Sequence, residues 1–460
     1  MRLITAQKYR GKTIGVFGLA RTGLAAVRAL SASGAIVRAW DDDQNKRTEV
    51  PANCEDLYAY DFSELDALLL APGVPLTHPA PHEIVKKATI TNTPLISDLD
   101  VFEAARDELA DHKLIAVTGT NGKSTTSVLI GHVLSACRVP SVVGGNIGTG
   151  VLALDPLTPG GAYVFELSSF QLDLTQSIRA DVAVLLNVSP DHLDRHGDFE
   201  NYFKAKTKLF QMQKDDGTAI IGVDDASGRA LAQELGPQTI RVSGYSNVSG
   251  GIFVENGVLF DGSSGETIEV GDISSVQALQ GKHNWQNAAA AYAACRTLGL
   301  GRAEILAGLR SFAGLAHRQQ TVGETGGVRF VNDSKATNSE AAARALASFS
   351  NIHWIAGGRA KEKSFAGLLP YLPTVKNSYF IGEAAHQLVE DLPASNSAVY
   401  SDLGTAFRAA CEKAKPGETI LLSPACTAFD QYSDFEARGE VFTRLVADFV
   451  ASDKNGRLEQ

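Results

Sequence analysis

The residues most able to do chemistry together are Thr118–Thr125, read as Thr-Gly-Thr-Asn-Gly-Lys-Ser-Thr. Gly119 and Gly122 let successive backbone N–H groups curl around an anion, and a following helix adds the partial positive charge of its N-terminus. A lysine placed as Lys123 is then lies on the β- and γ-phosphates of a nucleotide, and a hydroxyl placed as Ser124 ligates Mg²⁺. Thr120, Asn121 and Thr125 complete the loop. The run departs from G-x-x-x-x-G-K-[ST] only at Val117, where the pattern has its first glycine. Glu166 closes a later apolar run, as does the acid that holds Mg²⁺ in many P-loop enzymes; a strand-end carboxylate facing water is the plainer reading. His192 opens a polar loop that also holds Asp194 and His196, after the buried-looking run Asp181–Val188. Parallel strands deliver function at their carboxyl ends, which gives that histidine weight.

Lys206 is unusual by its neighbours. At 100° per residue, Phe199, Tyr202, Phe203, Lys206 and Phe210 share one helix face, with Lys204 and Lys208 off it. Such a lysine either snorkels to water or is kept neutral by burial, which lowers a lysine pKa by up to about 3–5 units. A neutral amine can add CO₂ and become a carbamate, an anion suited to Mg²⁺. Asn284 and Asn287 share a face near the start of an alanine-rich helix, where propensity does not favour asparagine; a cap or a ligand is the expectation. Asp333 and Lys335 directly follow an apolar run, and spacing alone favours a surface ion pair. Near the N-terminus, Gly18-Leu19-Ala20-Arg21-Thr22-Gly23 is a dinucleotide fingerprint with alanine at its second glycine, followed about 20 residues on by Asp41-Asp42-Asp43. It indicates a nucleotide diphosphate and does not specify NAD.

These groups need elements to hold them. Lys12–Leu19 and Ile36–Trp40 read as strands around a helix over Thr22–Ser33, and Leu65–Val74 as a strand running into a Pro-Gly turn. The first domain therefore ends near Thr93-Pro94, followed by a connecting helix at Asp98–Arg106. Leu114–Val117 is a buried strand feeding the Lys123 helix, and Val142–Gly150 is a glycine-rich loop with one polar residue, Asn146. Residues 239–280 are β-rich, with an Asn-Gly hairpin signal, and look like a small sheet decorating the centre. From Gly314, strands alternate with helices, including helices at Phe365–Leu372 and Glu440–Ala451, which implies a second parallel sheet. The expected architecture is α/β in three domains: a Rossmann-like domain at 1–97, a central P-loop ATPase-like domain with a small β insert at 98–313, and a C-terminal Rossmann-like domain at 314–460.

Composition narrows the function. A net charge of −10 disfavours wholesale nucleic-acid binding, and no apolar run approaches the roughly 18 residues of a membrane span. The five cysteines are scattered without C-x-x-C, which fits a reducing compartment rather than disulfides or zinc. The first residues lack a signal peptide's apolar stretch. The expectation is a cytoplasmic, soluble protein without membrane or nucleic-acid partners.

Taken in order, Thr118–Thr125, Gly144–Gly148, Phe165–Leu172, Asn187–Gly197, Gly281–Asn287, Ala316–Arg318, Val331–Asn338 and Ser423–Phe442 form a set that resembles the Mur ligases of peptidoglycan precursor synthesis along essentially the whole chain. The resemblance implies an ATP-dependent ligase. ATP phosphorylates an acceptor carboxylate, and an amino acid's amine displaces the phosphate. Phe165–Leu172, Val331–Asn338 and the Ser423–Phe442 tail fit the member that adds D-glutamate to UDP-N-acetylmuramoyl-L-alanine. By motif match, the loop Gly119–Thr125 with Asn284, Asn287, Arg318 and Asp333 would bind ATP. Ser124 and Glu166 would hold one Mg²⁺, and His192 with Lys206 as carbamate a second, so Lys123, Glu166, His192 and Lys206 are the catalytic set. Gly18, Arg21, Thr22, Asp41 and Asn146 would hold the UDP substrate. Lys335, Thr337, Lys361, Thr427, Phe429 and Phe435 would hold D-glutamate. A monomer is expected.

Two positions depart from the family pattern. Thr427-Ala428 stands where Ala-Ser is usual, moving the hydroxyl by one residue, and Ala71 stands where serine is common. The diamino-acid members' D-x-x-R signature is missing. The competing readings are another amide-forming ligase of the superfamily, such as a folylpolyglutamate synthase, and an NAD-dependent oxidoreductase or nucleotide-binding regulator built on the first βαβ unit.

Overall fold

A computed structural model describes residues 3–50, 53–393 and 396–458. The outermost ends of the expected first and third domains lie outside those residues. Two compact units divide the chain at residues 312 and 313.

The first unit is built on two sheets. Strands β1 (Thr13–Phe17), β2 (Ile36–Trp40), β3 (Ala67–Leu70) and β4 (Leu95–Ile96) are all parallel, in the order β2-β1-β3-β4. The second sheet holds β5 (His112–Thr118), β6 (Ser141–Gly145), β7 (Gly161–Glu166), β8 (Val182–Leu185), β9 (Thr218–Gly222), β10 (Ile240–Ser243), β11 (Ile252–Glu255), β12 (Val258–Asp261) and β13 (Ile268–Asp272). Its order is β13-β12-β11-β10-β9-β8-β5-β7-β6, parallel from β6 through β11. Strands buried on both faces read as unbroken apolar runs, and β5, β7 and β8 do so. One apolar cluster runs from Ala26 and Leu30, on the Arg21–Ala32 helix, through Leu99 and Phe102 to Leu114, Ala116 and Tyr163. The Asp98–Ala105 helix thus fills the space between the two sheets, capped by Ser97, whose hydroxyl accepts from Asp100 N.

Three expectations need correction here. Val142–Gly150 is not all loop, because Ser141–Gly145 pairs with β7 as an edge strand before the chain turns. The β-rich insert is not a separate small sheet either. Its strands β10 and β11 continue the central sheet in parallel, and only β12 and β13 fold back antiparallel, the hairpin turning at Asn256-Gly257 with both residues at positive φ. On the Lys206 helix, Phe199–Gln211, the buried stripe is Tyr202, Ala205, Lys206 and Leu209, with the phenylalanines at its margin.

The second unit holds β14 (Gln320–Thr325), β15 (Val328–Asn332), β16 (Ile352–Gly357), β17 (Val375–Ile381), β18 (Ser397–Val399) and β19 (Thr419–Leu422), in the order β14-β15-β19-β16-β17-β18. All pairs are parallel except β14–β15. The expected helix at Phe365–Leu372 is instead a 3-10 segment at Ala366–Thr374, because Pro370 and Pro373 cannot donate the i→i−4 bonds. The last helix is longer than expected, Phe435–Leu458.

Candidate functional site

Register places the chemistry of the first unit. Val117 pairs with Glu166 on one side and Val184 on the other, so β5, β7 and β8 end in one row. The phosphate loop, Glu166 and the Asn187–Gly197 loop therefore leave the sheet side by side at its carboxyl edge, where open α/β sheets bind ligands. Gly122 caps the Lys123–Ala136 helix at φ +83°, a conformation that favours glycine. A Cβ there would also meet Asn287 Oδ1 at 2.3 Å, so buried Asn287 packs directly on the loop. Asn287 Nδ2 donates to Asn284 Oδ1 at 3.2 Å, and Asn284 Nδ2 donates to Gln280 O at 3.0 Å.

Asn187 braces the loop from below. Its Oδ1 accepts from Asn121 N at 2.9 Å, its Nδ2 donates to Asn121 O at 3.2 Å, and its carbonyl accepts from Thr120 N at 2.9 Å. Thr120 Oγ1 lies 3.0 Å from Tyr202 OH on the Lys206 helix. Sequence reasoning had not singled out Asn187 or the Thr120–Tyr202 link. Asn187's place directly after a strand at the sheet's carboxyl edge was the available signal.

Two ammonium groups meet at one carbonyl. Lys123 Nζ donates to Gly119 O and Thr120 O, both at 2.8 Å, and Lys206 Nζ donates to the same Gly119 O at 2.9 Å. Lys206 is 1% exposed, so it does not snorkel. Burial first, and the charge of Lys123 second, lower its pKa to about 7, with Asp191 and Glu166 pulling the other way. Its ammonium lies 4.7 Å from the Tyr202 ring centroid.

Glu166 is 2% exposed rather than facing water. Asn146 Nδ2 donates to its Oε1 at 2.7 Å, while its Oε2 is buried without a hydrogen-bond partner. An orphaned buried carboxylate oxygen at the end of β7, in register with Val117 at the end of the strand that feeds the phosphate loop, fits a hard cation. His192 takes φ +52° at the start of a short turn, with its Nε2 3.5 Å from Asp191 Oδ2 and its ring 4.9 Å from that of Phe170. His196 is buried instead, its Nε2 3.0 Å from Ser169 Oγ. Among the described residues no three His, Cys, Asp or Glu side chains converge as a metal cluster.

The fingerprint turn is shaped by close approach. Gly18 has φ +93°, and a Cβ on Gly23 would stand 1.8 Å from Gly18 O. Buried Asp41 accepts from Leu19 N at 2.6 Å and from Asp43 N at 2.9 Å. Arg21 donates to Gly148 O, and Thr22 is half-buried on the helix that follows.

In the second unit the strand-end loops carry the predicted residues. Asp333 is 4% exposed rather than at the surface, and it turns inward to accept from Ser423 Oγ at 2.8 Å and Gln319 N at 3.1 Å. Burial raises its pKa to about 7 against those bonds and the nearby charge of Arg318. The ammonium of Lys335 lies 5.5 Å from the Phe435 ring centroid. Thr427 is buried, its Oγ1 donating to Arg359 O at 3.0 Å, while Lys361 and Phe429 are exposed and Thr337 is half-buried. Sequence reasoning missed Arg438. This arginine is 1% exposed and donates to Ser334, Gly357, Cys426 and Thr427 at 2.9–3.3 Å. It ties together the loops after β15, β16 and β19.

Comparison with known proteins supplies the context. The family described as "Mur ligase middle domain" matches residues 117–295, and "Mur ligase, glutamate ligase domain" matches 317–426. A UDP-N-acetylmuramoylalanine--D-glutamate ligase of Caulobacter vibrioides is 46% identical over 98% of both chains. Proteins of the same name from Rhodospirillum rubrum and Agrobacterium fabrum are 42% and 43% identical, each over at least 97% of both chains. The fold is shared with the UDP-N-acetylmuramate-alanine ligase of Thermotoga maritima, with a TM-score of 0.56 at 16% identity over 96% of this chain and 100% of that one. It is also shared with the MurF ligase of the same organism in complex with ADP, with a TM-score of 0.55 at 18% identity over 97% and 99%.

Proposed function

The chain belongs to the Mur ligase family, and from that premise we propose that it joins D-glutamate to UDP-N-acetylmuramoyl-L-alanine, consuming ATP in peptidoglycan precursor synthesis. One observation carries the choice of amino acid and acceptor: relatives of that single name match the chain end to end at 40–46% identity. Purified protein should release ADP only when ATP, UDP-N-acetylmuramoyl-L-alanine and D-glutamate are all present. Release with a different amino acid and none with D-glutamate would overturn the assignment in favour of another ligase of the superfamily. NAD binding without ATP turnover would overturn it in favour of an oxidoreductase.

The chemistry asked of the residues follows from the reactants. A carboxylate is a poor acyl donor, so its oxygen must become a leaving group; transfer of the terminal phosphoryl group of ATP makes it an acyl phosphate. Two anions must approach, and Lys123, folded over the loop that would hold the β- and γ-phosphates, offsets their repulsion. The amine of D-glutamate then attacks the carbonyl carbon, and the tetrahedral intermediate expels phosphate to leave the amide. Mg²⁺ would be held by Ser124 and Glu166 at one position and by His192 and Lys206 at a second, and when bound it supplies charge neutralisation at phosphoryl oxygens. The orphaned Glu166 Oε2 supports the first position.

For Lys206 we propose a carbamate. Its amine, lowered to about 7, is substantially neutral at physiological pH and so can add CO₂ with loss of one proton. That step would convert a buried cation beside Lys123 into an anion, replacing repulsion by attraction. The remaining assignments are part of the same proposal. Loop Gly119–Thr125, Asn284, Asn287, Arg318 and Asp333 serve ATP. Gly18, Arg21, Thr22, Asp41 and Asn146 serve the UDP substrate. Lys335, Thr337, Lys361, Thr427, Phe429 and Phe435 serve D-glutamate. The first unit divides at residues 97 and 98 into a UDP-substrate domain and an ATP domain, and the enzyme is a cytoplasmic monomer. Among the described residues no helix is long and apolar enough to cross a membrane.

A further inference from the structure

The loop that carries His192 reaches out of its own sheet. Arg195, three residues on, donates to three backbone carbonyls of the segment that follows β3: Val74 O at 3.0 Å, and Pro72 O and His78 O at 3.3 Å. Charge-assisted bonds of this kind are among the stronger ones a protein makes, and the planar guanidinium fixes direction as well as distance. Two close approaches locate the segment further. A Cβ on Gly197 would stand 2.6 Å from His78 Nε2, and a Cβ on Gly18 would stand 2.6 Å from Ala71 Cβ. The 71–79 segment therefore lies between the fingerprint turn and the His192 loop and touches both.

Aromatic contacts extend the chain of contact. The Arg195 guanidinium lies 4.9 Å from the Phe170 ring centroid, and the same ring lies 4.9 Å from that of His192 and 5.5 Å from that of His196. Ser169, the preceding residue, has its Oγ 3.0 Å from His196 Nε2, a second link between this segment and the His192 loop. A shift of the 71–79 segment would thus be felt at Arg195, then at Phe170, then at His192.

We infer that Arg195 is a positioning residue: it sets the turn that receives the UDP substrate at a fixed place relative to the loop carrying His192, so that the substrate's acyl end arrives at the phosphate loop. This rests on the substrate assignment above. The physical need is plain, since a misplacement of 1 Å far from the reacting atoms can cost about 100-fold in rate. A lysine keeps the charge but is a compact point charge, without the planar fork that reaches three carbonyls at once.

The test compares wild type with Arg195→Lys and Arg195→Gln. Hydrogen exchange at the amides of Gly73, Val74 and Leu76–His78 should accelerate, while exchange in the Lys123–Ala136 helix stays as in wild type. KM for UDP-N-acetylmuramoyl-L-alanine should rise about tenfold or more, with KM for ATP and D-glutamate within about twofold of wild type. Wild-type exchange in the segment, or a parallel rise of all three KM values, would overturn the inference. Should the arginine variants not fold, Phe170→Leu removes the ring beneath the guanidinium and should give the same exchange pattern in weaker form; unchanged exchange there would equally overturn it. The exchange arm stands even if the wild-type enzyme proves to use a different acceptor, so failure of the substrate assignment is distinguishable from failure of this inference.

Discussion

Among the ionisable side chains each unit buries beside its candidate site, one from each is driven by burial towards the same value from opposite sides. Lys206 comes down to about 7 and Asp333 comes up to about 7. Their surroundings differ in kind. Asp333 keeps two donors, Ser423 Oγ and Gln319 N, which favour its charged form and limit the rise. Lys206 has one carbonyl and an aromatic ring, and a second ammonium shares that carbonyl. The acid keeps donors that favour its charged form; the amine sits where burial and the neighbouring Lys123 charge favour its neutral form. Burial alone thus does not specify a role, and the neighbours' charge and hydrogen bonding decide it.

The largest expected effect falls on the lysine. Lys206→Ala should lower ADP release by about 100-fold or more, the scale of losing a preorganised charge at a reacting centre. Bicarbonate should restore nothing to this variant, whereas a short-chain carboxylic acid should restore part of the turnover by placing an anion in the vacated space. In wild type, stimulation by bicarbonate should fade as pH drops below about 7, because the protonated amine cannot add CO₂. Wild-type turnover in the alanine variant would remove the contrast with Asp333 altogether.

Asp333→Asn comes next and tests the other side. The amide retains an acceptor for Ser423 or Gln319 but not the charge, so, if Asp333 serves ATP as proposed, KM for ATP should rise by about tenfold, the scale of losing one hydrogen bond to a charged group. Stability gives an independent reading. A carboxyl whose folded pKa is raised binds more protons folded than unfolded between about 4 and 7, so its folding contribution worsens as pH climbs through that window. The asparagine variant should therefore gain on wild type in melting temperature between pH 5 and pH 8. A constant difference would show that Asp333 titrates like an exposed acid.

Arg438 sharpens the comparison from within the second unit. Arg438→Met removes a buried cation and leaves several loop carbonyls short of a donor, which should cost about 3 kcal/mol in urea denaturation. Burial lowers this guanidinium to about 10, still charged at neutral pH, so the cost should not vary between pH 6 and pH 8. A pH-dependent loss would point to Asp333 rather than Arg438 as the group that organises these loops.

What could be read in the sequence follows a physical line. Apolar runs bounded by glycine turns revealed most of the parallel strands, because strands buried on both faces need unbroken hydrophobicity. The phosphate loop was legible since its glycines and lysine are adjacent in sequence. The insert at 239–280 was misread because a hairpin pattern says nothing about which edge it joins. Pro370 stands inside the expected helix and Pro373 just past its end, yet the apolar spacing alone suggests a helix there. Asp333 was misjudged for a different reason: its partner Ser423 is 90 residues away, and no local spacing announces such a contact. The same holds for Arg438, whose acceptors come from three loops.

The smallest effect concerns the displaced hydroxyl. Thr427 Oγ1 donates to Arg359 O at 3.0 Å, and Thr427 N donates to that same carbonyl at 3.0 Å, so the side chain reinforces a bridge the backbone already makes. Thr427→Val preserves shape and removes one neutral hydrogen bond, a loss of about 1 kcal/mol. If the hydroxyl instead turns to donate to a carboxylate of the incoming amino acid, KM for D-glutamate should rise about threefold to tenfold, and Thr427→Ser should restore it. Loss of stability with an unchanged KM would confine the hydroxyl to the Arg359 bridge and leave recognition of the amino acid to Lys335 and Lys361. Thr427 would then resemble Asp333's partner Ser423, a hydroxyl that holds a loop, rather than a group poised to meet substrate.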